Sequence, residues 1–133
     1  MSFSGPADDQ MAIRSLIDSY SDAVFRRNAA DWGGCWAEAG RWELMGTEVS
    51  GRAAITAMWT GAMAGFAFVA FFAQPGSIVV DGDAATGRVY THEVLEAADG
   101  TVSRPVGQYL DRYVRTNDGW RFSERRYSLL KAG

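Results

Sequence analysis

One histidine and one aspartate stand on two strand-like segments late in the chain and could together move a proton. His92, the only histidine in the sequence, is two residues from Tyr90, and Asp111 is two residues from Tyr109. Side chains two residues apart share a face of a β-strand, so each pair would point in one direction. Histidine titrates near neutral pH, and a carboxylate beside it would hold its tautomer. We therefore expect His92 and Asp111 to form a catalytic pair inside a curved sheet.

The same two residues also fit structural roles. His92 could lie on the outer face of the sheet or in a dimer contact. Asp111 could itself be the base if an apolar environment raised its pKa, or it could form a buried ion pair with Arg125. Alternation along the strands fits either orientation of the sheet.

The elements that must position these residues follow from the spacing of apolar side chains. A repeat of three to four residues, together with capping residues, predicts helices over residues 6–28, 29–37 and 50–64. Alternating or continuous apolar segments predict strands at residues 41–45, 68–72, 78–80, 87–95, 106–115 and 120–130. This order predicts one α+β domain over residues 1–133, in which three N-terminal helices pack on a strongly curved, mixed or antiparallel sheet.

Composition argues against several classes of function. The 133 residues carry a formal charge of −3 and no basic stripe, which argues against a nucleic-acid partner. The single cysteine cannot form an internal disulfide, and no Cys/His pattern has metal-site spacing, so we expect no metal and no cofactor. The apolar residues 62–73 are too few to span a bilayer, and the N-terminus does not resemble a signal peptide. We expect a cytoplasmic protein that acts away from membranes.

Five short strings carry a family resemblance over nearly the whole chain. They are IRSLIDSY at 13–20, WAEAGRWE at 36–43, GRAAI at 51–55, VDGDAATG at 80–87, and DGWRF at 118–122 followed by Arg125. The chain thereby resembles the SnoaL-like branch of the nuclear transport factor 2 (NTF2) superfamily, which includes scytalone dehydratase, hexachlorocyclohexane dehydrochlorinase, polyketide cyclases and ketosteroid isomerases. The resemblance implies a cone with an apolar pocket between the first helix and the concave sheet, and homodimers formed through the outer sheet face.

The resemblance also implies a catalytic dyad, and both of its positions are altered in this chain. In the dehydratase and dehydrochlorinase members, an aspartate near the end of the first helix and a histidine on a strand remove a proton and expel a leaving group. These positions fall on Asn28 and Phe71, and neither side chain can act as a base. Other groups must therefore carry the chemistry if it takes place.

We expect the pocket to hold a small hydrophobic molecule, aromatic or polycyclic. Tyrosine hydroxyls would donate hydrogen bonds to a developing enolate or phenolate oxygen, and Asn28 would position the substrate. Ordinary core packing is the alternative for the aromatic residues, and helix C-capping is the alternative for Asn28. The expected substrate-binding residues are Tyr20, Asn28, Trp42, Phe71, Tyr90 and Tyr109.

Three functions fit these expectations. The leading one is a cofactor-independent lyase or isomerase with dehydratase-like proton transfer by His92 and Asp111, for which His92→Gln would abolish turnover without unfolding the protein. The second is a non-catalytic binder of apolar small molecules, or a small subunit of an oxygenase-type complex. The third is polyketide cyclase or epoxide hydrolase-like chemistry that uses Asp111 with Arg125. The expected partners are a small hydrophobic molecule and a second copy of the chain.

Overall fold

Helices cover one face of a curled sheet in the computed structural model, which describes residues 2–133. Within this range the three helices are α1 (Ala7–Arg26), α2 (Ala29–Gly34) and α3 (Arg52–Met63). The eight strands of the same range are β1 (Phe3–Ser4), β2 (Trp36–Leu44), β3 (Thr47–Ser50), β4 (Phe66–Asp81), β5 (Ala84–Ala97), β6 (Val102–Ser103), β7 (Val106–Thr116) and β8 (Gly119–Lys131). The predicted α+β class, with helices packed on a mixed curved sheet, is confirmed.

The sheet combines parallel and antiparallel pairs in the order β1-β4-β5-β7-β8-β2-β3, and β6 pairs with β5 outside this path. Strands β1 and β4 are parallel, as are β2 and β8, while the other neighbours are antiparallel. Strands β4, β5, β7 and β8 form the predicted meander of long strands. The three strands that the pattern did not predict, β1, β3 and β6, are two to four residues long.

The predicted boundary between α2 and β2 is wrong because residues 36 and 37, which helical spacing assigned to α2, belong to β2 of the sheet. The helix ends at Gly34 instead of residue 37. The N–H of Phe122 donates to the carbonyl of Cys35 at 2.9 Å, and Trp36 pairs with Phe122 in the parallel ladder. Strand β2 therefore begins at Trp36 and is much longer than the predicted strand at 41–45.

Four register shifts accompany the curvature of the long strands β4, β5, β7 and β8, and two of them lie within the strands, away from their ends. One lies between Pro75 and Ser77, where β4 pairs with β5, so the two strands predicted on either side of Pro75 are one bulged strand. The other lies between Arg112 and Tyr113, where β7 pairs with β8. Because a bulge adds local bend and twist, these shifts help the sheet to curl towards α1, which packs on β4.

The core lies between α1 and the concave face of the sheet. Helix α1 buries its apolar stripe there and ends where Arg27 adopts a left-handed backbone conformation with φ of 53°. Trp32 of α2 stacks on Trp59 of α3, with ring centroids 4.6 Å apart, and thereby joins the two shorter helices. In the described range 2–133, each helix is too short or too polar to cross a lipid bilayer.

Candidate active site

A cavity of about 360 Å³ lies between the helices and the concave face of the sheet. Its wall is mostly apolar, and its aromatic members are Tyr20, Trp42, Trp59, Phe71, Tyr109 and Tyr127. The volume lies in the ordinary range for small-molecule sites, which are mainly apolar with a few polar groups. Within residues 2–133, no group of three His, Cys, Asp or Glu side chains is placed to hold a metal ion.

Four of the expected substrate-binding residues line this cavity: Tyr20, Trp42, Phe71 and Tyr109. The ring of Tyr20 on α1 packs against that of Phe71 on β4, with centroids 5.5 Å apart. The indole N–H of Trp42 donates to the hydroxyl oxygen of Tyr109 at 3.1 Å. Their positions agree with the sequence analysis, and contact with a substrate stays a prediction.

Glu93 is the carboxylic acid of the cavity, and sequence analysis missed it. It is the sole Asp or Glu in the wall formed by the described residues. Burial raises the pKa of Glu93 from its ordinary value of 4.5 to about 7. Alternation could have found it, because Val89 and Thr91 are buried on the same face of β5 and Glu93 comes next.

The predicted arrangement of His92 and Asp111 in one cavity is wrong. His92 is exposed on the outer face of β5, with its ring centroid 6.3 Å from that of Phe72. Tyr90 lies on the same outer face, where it is 42% exposed, and its ring covers Gly76 of the neighbouring strand. The inner face of β5 carries the odd-numbered positions, so neither His92 nor Tyr90 reaches the cavity.

Asp111 does face inward, but it forms the buried ion pair that was its alternative role. The Nε of Arg125 lies 2.8 Å from Oδ1 of Asp111, Nη2 lies 3.1 Å from Oδ2, and both side chains are 0% exposed. The hydroxyl of Tyr113 donates to the same carboxylate at 2.8 Å. Burial raises the pKa of Asp111, and the charge and hydrogen bonds of Arg125 oppose that rise.

This ion pair lies behind the tyrosine wall of the cavity. The Cζ of Arg125 is 3.9 Å from the ring centroid of Tyr109 and 4.6 Å from that of Tyr20, within the range of cation–π contacts. Burial raises the pKa of Tyr20 to about 12 and that of Tyr109 well above 10, although the charge of Arg125 opposes both shifts. Both hydroxyls therefore stay protonated near neutral pH and can donate hydrogen bonds to a ligand oxygen.

Asn28 is an N-cap of α2 and lies outside the cavity wall, so the expectation that it positions a substrate is wrong. Its Oδ1 accepts a hydrogen bond from the backbone N–H of Asp31 at 3.0 Å. Its own N–H donates to the carbonyl of Ala23 at the end of α1. Of the two dyad positions that the resemblance implies, one is Asn28 in a helix cap, and the other is Phe71 in the cavity wall.

Comparison with known families identifies the chain. The model of the SnoaL-like domain matches residues 6–126. The chain therefore belongs to the SnoaL-like domain family, and the resemblance inferred from the five strings is confirmed. Comparison with curated proteins found no match.

Solved structures share the fold. A proposed aromatic ring hydroxylase from Novosphingobium aromaticivorans superposes with a TM-score of 0.90 at 23% identity, covering 98% of this chain and 95% of that one. An NTF2-like protein with a cystatin-like fold from the same species has a TM-score of 0.75 at 28% identity, covering 93% and 83%. A hexachlorocyclohexane dehydrochlorinase has a TM-score of 0.79 at 14% identity, covering 96% and 92%. These likenesses support the cone-shaped NTF2-like fold.

Replacing Glu93 by Gln should stabilise the protein at alkaline pH and leave its stability almost unchanged at acid pH. The folded protein holds the pKa of Glu93 at about 7, whereas unfolding returns it to about 4.5, so the wild type loses stability as pH rises between these values. The full difference in unfolding free energy, about 3 kcal/mol, should appear above pH 7. Urea denaturation at pH 4 and pH 8 measures it, and equal stabilities at pH 8 would contradict the burial of a charged Glu93.

Replacing Asp111 by Ala should lower the free energy of unfolding by about 3–5 kcal/mol, because the charge of Arg125 would remain buried without its partner. Urea denaturation at pH 7 measures the loss. The double variant Asp111→Leu/Arg125→Met removes both charges and should recover much of the stability. A loss below about 1 kcal/mol in the single variant would show that the ion pair contributes little.

Proposed function

We propose that this SnoaL-like protein is a cofactor-independent lyase or isomerase in which Glu93 moves a proton on a small hydrophobic substrate. The observation that carries the proposal is a single carboxyl group in an apolar cavity with a pKa of about 7. Such a group exchanges its proton near neutral pH, as a general acid–base catalyst must. Glu93 thus takes the role that sequence analysis gave to His92.

In the proposed reaction, the carboxylate of Glu93 takes a proton from a carbon next to a carbonyl group. The electron pair of the broken C–H bond moves towards that oxygen, where Tyr20, Tyr109 or Tyr127 donates a hydrogen bond to the developing negative charge. In an isomerisation, the pair returns to another carbon, which receives the proton from Glu93. In a dehydration, the pair expels a hydroxyl group from the adjacent carbon, and the proton of Glu93 leaves with it as water.

The cavity wall favours a flat hydrophobic substrate, aromatic or polycyclic. Trp59 and Phe71 supply apolar ring surface, and the tyrosines and Glu93 supply the few polar groups. Two structurally similar proteins are lyases by name: one is a proposed scytalone dehydratase, and the other is a hexachlorocyclohexane dehydrochlorinase. Their names support an elimination.

A non-catalytic binder of apolar small molecules is the second candidate. It is favoured by the replacement of both dyad positions, since Asn28 caps a helix and Phe71 cannot accept a proton. The small subunit of an oxygenase-type complex stays a prediction, as does the cytoplasmic location. Cyclase or epoxide hydrolase-like chemistry has less support, because Asp111 and Arg125 bond to each other outside the cavity wall.

We also propose that the outer face of the sheet pairs with a second copy of the chain. Phe68, Phe72 and Tyr90 expose 42–54% of their surface there, and the ring of Phe72 also packs against Phe25 of α1. Beside them, oppositely charged side chains alternate across the strands, with Arg112 3.4 Å from Glu124. A face that carries both charges can complement its own copy in a two-fold pair.

A charge placed on that face should separate the pair. Phe72→Glu should shift the protein from dimer to monomer in sedimentation velocity, because a carboxylate would be buried without a partner. Met58→Glu, at an exposed position on α3, serves as the control and should leave the mass unchanged. A wild-type protein that sediments as a monomer at every concentration would contradict the proposed pair.

The activity is testable without knowledge of the natural substrate. We expect the wild type to exchange hydrogen for deuterium next to the carbonyl in members of a panel of aromatic and alicyclic ketones, followed by NMR in D2O. The rate should rise with pH to a plateau above about 7, since the proposed base must be ionised. Glu93→Gln should slow the exchange by about 10²–10⁴-fold.

Two neighbours on β5 provide matched controls. Glu96→Gln changes another glutamate outside the cavity wall, and His92→Gln changes the exposed histidine. Both variants should exchange deuterium within about twofold of the wild-type rate, because they leave Glu93 intact. Unchanged exchange in Glu93→Gln would refute the role of Glu93. Ligands that bind in the cavity but exchange no hydrogen would favour the binder.

A further inference from the structure

Two exposed apolar side chains extend the wall of the cavity towards solvent. Met45, in the turn between β2 and β3, is 65% exposed, and Leu129 near the end of β8 is 42% exposed. Both nevertheless belong to the wall of the cavity that contains Glu93. A ligand that fills the cavity and extends beyond it would cover the exposed apolar surface that continues from the cavity wall.

The pairing of β2 with β8 explains why these side chains form one rim. Leu44 pairs with Tyr127 in the parallel ladder, and both line the cavity. Met45 follows Leu44 directly, and Leu129 lies two residues beyond Tyr127 on the same face of β8. The apolar wall therefore continues outward along two neighbouring strands without a polar side chain between these positions on that face.

The residue type at position 45 is a second sign that the side chain of Met45 matters. Met45 has φ of 47°, in the left-handed region that Gly, Asn and Asp tolerate best in a two-residue hairpin turn. Arg27 is the other non-glycine residue with positive φ in the described range, and it ends a helix, where this conformation is common. The two-residue turn explains the positive φ of Met45 and of Gly46 (98°), but it favours Asn or Asp at position 45; contact with a ligand at the cavity mouth would explain the choice of methionine.

We propose that Met45 and Leu129 form an outer apolar subsite, and that the ligand of this protein is longer than the enclosed cavity. One end, a ring with a polar oxygen, lies near Glu93, and an apolar extension runs outward along Met45 and Leu129. The flexible thioether of Met45 adapts to extensions of different shape. The orientation of the polar end rests on the proposed function, but the outer subsite does not.

The inference is tested with 4-n-alkylphenols from methyl to octyl, titrated into the full chain by calorimetry. Each methylene that becomes buried should tighten binding by about fourfold, which corresponds to about 0.8 kcal/mol. The gain should continue to the long members as their alkyl chains reach the rim. Met45→Asn and Leu129→Asn should weaken the long members by about fourfold or more and leave methylphenol within about twofold, because their effect is confined to the outer carbons.

The chain offers a matched control for each variant. Met58 is an exposed methionine on α3, and Leu130 is an exposed leucine next to Leu129 that points to the opposite face; neither lines the cavity. Met58→Asn and Leu130→Asn should leave binding unchanged at every chain length. Asn at position 45 tolerates the left-handed backbone, so this variant is expected to fold.

The inference would be overturned if no alkylphenol bound at millimolar concentration, or if the affinity did not depend on chain length. It would also be overturned if the rim variants weakened the binding of short and long alkylphenols equally, or if the control variants weakened binding as much as the rim variants do. A change in sedimentation of the rim variants without a change in chain-length dependence would also overturn it, because a second copy would then cover the rim. The proposed function fails separately, through unchanged deuterium exchange in Glu93→Gln, and that failure would leave the chain-length dependence intact.

Discussion

The buried guanidinium of Arg125 is the charge around which the inner face of the sheet is organised. It bonds to Asp111 through two nitrogens and lies against the rings of Tyr20, Tyr109 and Phe122. These contacts tie β7, β8 and α1 together at the base of the cavity. A buried ion pair is stable only when its geometry and hydrogen bonds compensate for the hydration that both charges lose. The hydroxyl of Tyr113 supplies part of that compensation by donating a hydrogen bond to the carboxylate of Asp111.

The same pair explains why the cavity holds an unpaired acid. Arg125 bonds to Asp111 through Nε and Nη2 behind the tyrosine wall, and it is not among the residues that line the cavity around Glu93. Burial acts on Glu93 without an opposing cation, and its pKa rises to about 7. Two carboxylates on neighbouring strands of one sheet therefore have opposite roles: Asp111 is a fixed structural anion, and Glu93 is a group that can gain and lose a proton.

The sequence predicted most of the architecture because the information for it is local. The apolar stripe of α1 and the alternation of β4, β5, β7 and β8 identify these elements, and the cavity positions of Trp42 and Tyr109 agree with the expected ones. The pairing of β2 with β8 joins segments from opposite ends of the chain, and spacing within either segment carries no sign of it.

The errors at Tyr90, His92 and Glu93 come from one choice of strand face. Alternation separates Tyr90 and His92 from Val89, Thr91 and Glu93, but packing decides which set is buried. The sequence analysis placed Tyr90 and His92 in the cavity because an aromatic residue and a histidine suit a binding site. On the outer face, Tyr90 covers Gly76 and His92 lies near Phe72. The helix-capping role of Asn28 was within reach of local reasoning, since asparagine is a preferred N-cap.

The parallel pairing of β2 with β8 has a consequence for biosynthesis. Strand β2 has β3 on one side and β8 on the other, so one edge of β2 stays open until β8 leaves the ribosome. Trp42 and Leu44 gain their neighbours Arg125 and Tyr127 only after the roughly 80 residues that separate them in the chain have been synthesised. Closure of this side of the cavity therefore requires β8, and until β8 pairs with β2 the nascent chain presents an unpaired strand edge that chaperones can recognise.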